Sequence, residues 1–168
     1  MVRVATLPPS TRFSVRGGDA AADAIGRAFG VGLAREACRA ATGGGRAALW
    51  LGPDEWLLIA PDGEASSLMA AMGEALGAEP ASLVEISDRQ VALEIAGEKA
   101  AEAINAFNAL DLDLSVFPVG MCTRTLFGKA EIVLWRTAPE TFRVDVWRSF
   151  APYVQGCLGE AIREYGVA

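Results

Sequence analysis

The sequence predicts an α+β fold built from duplicated ferredoxin-like β-α-β-β units with antiparallel sheets. Three observations carry this expectation. Short apolar runs of strand length are bounded by Gly, Pro and Asp punctuation. Ala-rich segments with apolar residues at helical spacing fall between them. The order strand, helix, hairpin then occurs twice along the chain. With 168 residues, 52% hydrophobic and 21% charged, the chain can bury a core and lacks the composition of disorder. The expectation is one compact domain over residues 1–168, with pseudo-repeat halves over about 11–86 and 91–164. No long polar linker separates residues 86 and 91.

Residues 1–10 read as an irregular lead-in ending at Pro8-Pro9. Residues 11–16 alternate Phe13 and Val15 with polar neighbours, a strand signal. Gly17-Gly18-Asp19 opens a helix to about Phe29, with Asp19 as its N-cap and Gly30 as its stop. The segment before the Gly43-Gly44-Gly45 loop has no clear period. Two apolar runs at 47–51 and 56–60 flank the turn Gly52-Pro53-Asp54-Glu55. A helix follows over 63–77, then strands at 82–86 and 91–95 separated by a break at Asp88-Arg89. Gly97 opens a third helix to about Phe107, and 108–119 is irregular. Strands over 121–127, 131–136 and 141–147 come next, joined by turns at Gly128-Lys129 and Ala138-Pro139-Glu140. A last helix spans about 149–164, with Phe150, Val154, Cys157 and Leu158 in its apolar stripe.

Composition excludes more chemistry than it suggests. The net charge of −6 argues against a nucleic-acid surface. The chain has no histidine, which removes His-based acid–base catalysis, Ser-His-Asp and Cys-His nucleophiles and His-ligated haem. Cys38, Cys122 and Cys157 lie far apart, short of the roughly four thiolates of a Cys-only zinc site. They read as buried thiols of a reducing compartment, with a single reactive thiol as the sharper reading. No apolar run nears the roughly 18 residues that span a bilayer, and residues 1–10 lack the apolar stretch of a secretory signal. A cytoplasmic protein is expected.

No phosphate loop is present: Gly26, Gly30 and Gly32 miss the dinucleotide spacing, and Ala130 follows Gly128-Lys129 where a Ser or Thr is needed. Asp54-Glu55 reads as turn chemistry, and Asp111 with Asp113 lacks the further oxygen ligands of a cation loop. Arg89 and Arg124 sit among apolar residues. Each either pairs with a carboxylate such as Asp88 or Glu85, or serves as an anion clamp or interface anchor. Trp147 shares a phase with Arg143 and Asp145, opposite Phe142, Val144 and Val146. It is therefore placed on the more exposed sheet face, as core filler or as a protein–protein anchor. Trp147 and Trp56, the latter at the 52–56 turn, are the candidate interface residues. No catalytic, cofactor-binding or metal-ligating residue is assigned.

The string 49–58, LWLGPDEWLL, the string 84–90, VEISDRQ, and the later 117–120, Arg124-Thr125 and 144–150 segments resemble the gamma subunit family of heterotetrameric sarcosine oxidase. The resemblance covers most of residues 45–158. It implies a fold like the aminomethyltransferase folate-binding domain. It also implies a non-catalytic assembly subunit, beside alpha, beta and delta subunits, of a complex that oxidises sarcosine to glycine, formaldehyde and hydrogen peroxide. Tetrahydrofolate can take the one-carbon unit there. FAD, FMN, NAD and zinc belong to the other subunits, and the alpha subunit is the chief partner. The alternative is a stand-alone folate-binding or one-carbon transfer domain.

Overall fold

Turn residues, strand runs and amphipathic helices assemble into two compact units in the computed structural model, which describes residues 1–165. One unit is Pro9–Ser87; the other joins Met1–Pro8 to the chain from Asp88 onward. Each is an antiparallel five-stranded sheet with two helices packed on one face. Among the described residues no helix is long and apolar enough to cross a membrane.

In the Pro9–Ser87 unit, β2 (Ser10–Gly17) leads into α1 (Asp19–Phe29). The edge strand β3 (Ala40–Gly43), the hairpin β4 (Arg46–Gly52) and β5 (Glu55–Pro61), α2 (Ala65–Leu76) and β6 (Ala81–Glu85) follow. The sheet order is β3-β4-β5-β2-β6. Phe13 and Val15 of β2, Trp56, Leu58 and Ala60 of β5, Ile25 and Phe29 of α1, and Leu68 and Met72 of α2 form its core. Leu57 and Ile59 are buried as well, on the opposite sheet face, so the 56–60 run is apolar without alternation. The α1 N-cap is Gly18 rather than Asp19, which is the first helical residue and gives its charge to the N-terminal end of the helix dipole.

The other unit contains β1 (Arg3–Thr6), β7 (Gln90–Ala96), α3 (Ala100–Asn105), β8 (Cys122–Phe127), β9 (Ala130–Ala138), β10 (Thr141–Trp147) and α4 (Ala151–Ile162). Its sheet order is β1-β7-β10-β9-β8. Strand by strand this repeats the order of the first sheet, with β7, β10 and β9 standing where β2, β5 and β4 stand. The helix α4 is followed by no further strand among the described residues. The place that β6 takes beside β2 is taken beside β7 by β1, from the start of the chain, with Arg3 opposite Ala96 and Thr6 opposite Leu93. Residues 3–6 are therefore a strand and not an irregular lead-in. Leu7 extends the ladder by donating its N–H to the Ala92 carbonyl at 2.8 Å.

Candidate interaction site

The hairpin of β8 and β9 turns at Gly128, whose φ of +57° lies in the left-handed region open to glycine. Tyr153 of α4 stands against this turn and accepts the Lys129 backbone N–H on its hydroxyl at 3.2 Å. The turn and the end of β10 thus hold five side chains around one groove: Leu126, Lys129, Glu131, Trp147 and Phe150. Trp147 is 43% exposed, Phe150 43% and Leu126 59%, an unusual concentration of large apolar area at the surface. Phe150 lies in a 3-10 turn, Arg148–Phe150, ahead of α4, and not in the apolar stripe of the helix. The sequence pattern hid this, because Phe150 is in helical phase with Val154.

The two candidate tryptophans part company. Trp56 is 1% exposed, packs in the core of its unit and donates its indole N–H to the Ala34 carbonyl at 2.8 Å. That corrects its placement as an interface anchor: β5 is an interior strand and its side chain points toward α1 and α2. Trp147 keeps an accessible ring, and the Arg89 guanidinium carbon lies 5.1 Å from its centroid. The sheet face it shares is not open throughout, since Asp145 is 1% exposed and bound by Arg143 Nε at 2.7 Å. Exposure is confined to the Trp147 end.

Arg124 pairs with Glu131 at 3.7 Å, and Arg148 pairs with Asp88 at 3.7 Å. Asp54 and Glu55 both face Arg16, at 3.4 and 3.7 Å, which accounts for them as turn acids. Asp111 accepts the Asp113 N–H at 2.9 Å, and Asp113 in turn accepts the Ser115 N–H and hydroxyl. Those hydrogen bonds, the side-chain one foremost, lower the Asp113 pKa below its ordinary value. Among the described residues no group of three His, Cys, Asp or Glu is placed to hold a metal ion. Behind the 111–120 loop lies Arg136, 3% exposed, which donates to the Phe117 carbonyl at 2.5 Å and lies 4.4 Å from the Phe142 ring centroid. Burial pushes its pKa down, and Asp113 opposes that shift. A second, larger concavity of about 680 Å³ is lined by Asp19, Asp23, Arg35, Trp50 and Pro53. Its charges are mutually satisfied, with Arg35 at 3.3 Å from Asp19 and 2.8 Å from Asp23.

Comparison with known proteins follows the same lines. A chain of the heterotetrameric sarcosine oxidase from Corynebacterium sp. U-96 superposes with a TM-score of 0.92 at 29% identity, over 99% of this chain and 86% of that one. The glycine cleavage system aminomethyltransferase T from Bartonella henselae shares the fold alone, with a TM-score of 0.70 at 12% identity, over 94% of this chain and 45% of that one. In sequence, the sarcosine oxidase subunit gamma of Corynebacterium sp. (strain P-1) is 32% identical over 143 residues, 84% of this chain and 70% of that protein. Residues 16–164 match the model of the family described as "Sarcosine oxidase, gamma subunit family", and the chain belongs to that family.

Proposed function

We propose that this chain is the non-catalytic assembly subunit of a heterotetrameric sarcosine oxidase. The complex oxidises sarcosine to glycine, formaldehyde or methylene-tetrahydrofolate, and hydrogen peroxide. The observation that supports this best is the agreement with the Corynebacterium oxidase chain over 99% of this one. The residues fit the role. A histidine-free chain offers no imidazole base, and the candidate acids Asp54, Glu55, Asp111 and Asp113 are engaged in ion pairs and turn hydrogen bonds. In this reading FAD, FMN, NAD, zinc and tetrahydrofolate reside on other subunits. The alpha subunit is the chief partner, beta and delta complete the assembly, and the complex works in the cytoplasm.

Affinity purification of the tagged chain from its native host tests this. The expected result is stoichiometric recovery of the larger oxidase subunits, together with flavin absorbance that the chain purified alone lacks. Recovery as a free protein whose tryptophan fluorescence titrates with one equivalent of tetrahydrofolate would instead support a stand-alone folate-binding domain.

A further inference from the structure

The groove at Trp147 has a size, a composition and a charge that together specify an occupant. Its volume is about 260 Å³, below the roughly 300–1,000 Å³ of pockets that bury drug-sized ligands. It accommodates one or two side chains and not a flavin or a folate. Its floor and walls are Trp147, Phe150 and Leu126, which gain by leaving water. Its rim is basic, although the whole chain carries −6. Lys129 lines the groove, Arg89 lies over Trp147, and Arg124 pairs with Glu131, the acid of its lining. Arg89 and Lys129 have no carboxylate at ion-pair distance among the described residues. Arg89 lies over the Trp147 ring and Lys129 lines the groove, so two uncompensated cations flank the apolar walls.

We infer that this groove receives an apolar side chain carried on an acidic segment of the larger partner subunit, with Trp147 as the central anchor and Arg89 and Lys129 meeting the segment's carboxylates. The inference rests on the subunit reading above. A buried Trp and Arg at the centre of a contact is where binding energy concentrates, and the surrounding charges set the association rate and its salt dependence.

The complex, co-expressed from all its subunits, is the material for the test. Trp147→Ala is expected to raise the dissociation constant of this chain from the complex about thirtyfold or more. Phe150→Ser provides a second variant if Trp147→Ala does not fold. The double variant Arg89→Glu, Lys129→Glu is expected to slow association and to flatten its dependence on salt. If these variants fold and assemble as the unsubstituted chain does, the groove is not the interface, and the subunit reading stands without it. If Trp147→Ala weakens assembly but charge reversal leaves it unchanged or tightens it, the occupant is not acidic and the inference fails. If the unsubstituted chain does not assemble at all, the subunit reading fails and the inference with it.

Discussion

Trp56 and Trp147 are the same residue type in opposite settings, and truncation separates them. Trp56→Ala removes a side chain that is 1% exposed and hydrogen-bonded to the Ala34 carbonyl. Its expected cost is about 3–5 kcal/mol of folding free energy, read by thermal or denaturant melting. Trp147→Ala removes a half-exposed ring and its cation–π contact with Arg89. Its expected cost in the isolated chain is about 1–2 kcal/mol, from that contact and the buried part of the ring. A Trp147→Ala chain that melts as low as Trp56→Ala would make Trp147 core. Asp113 carries a pH prediction. Its folded pKa lies below its ordinary value of 3.8 because Ser115 donates to it. The bonds it accepts are therefore fully present above that value and are lost as pH falls through the lower folded one. Carboxyl NMR titration should place the Asp113 transition below 3.8, and Ser115→Ala should move it back up toward 3.8. An unchanged midpoint in the Ser115→Ala chain would remove the Ser115 hydroxyl as the chief cause.

Among the elements, β1 depends on one glycine. Gly97 has φ +129°, and a Cβ there would stand 2.1 Å from the Met1 carbonyl oxygen. Gly97→Ala should cost on the order of 1–3 kcal/mol. The damage should appear first as faster hydrogen exchange at the Leu7 amide, which is bonded to Ala92. If that amide keeps its protection, β1 is held independently of Gly97. The elements that sequence pattern made legible were those with a clean period: α1, β10 and the β4–β5 hairpin fall within a residue or two of expectation. The two missed strands, Arg3–Thr6 and Ala40–Gly43, are four-residue edge strands, too short to show alternation. They are fixed by the neighbour they pair with rather than by their own residues. The site was half legible. The phase of β10 placed Trp147 outward, whereas the burial of Trp56 was masked by a run that is apolar on both faces. Lys129 and Leu126 join the groove only through the Gly128 turn, a tertiary arrangement with no signal in spacing.

At the scale of the whole molecule, the two sheets share one strand order but not one connectivity. A chain that starts at residue 9 and carries residues 1–8 after α4, through a short flexible linker, would give the second unit the strand–helix–strand path of the first. The Gln155 side chain on α4 already donates to the Thr6 hydroxyl at 3.1 Å, so β1 and α4 are neighbours. This permuted chain should fold with an unchanged near-ultraviolet circular dichroism spectrum. A chain that lacks residues 1–8 leaves the edge of β7 unpaired and should aggregate. A soluble, fully stable truncated chain would show β1 to be dispensable. The same placement of β1 orders events on the ribosome. Residues leave the ribosome from the N-terminus at about 5–20 per second. Residues 9–87 emerge with every strand of their own sheet. Arg3 is made well before its partner Ala96, and β7 in turn needs β10 on its far side. The strand β1 therefore spends several seconds without a ladder and is among the last strands to be secured. That interval is when a nascent-chain chaperone or a protease would meet it.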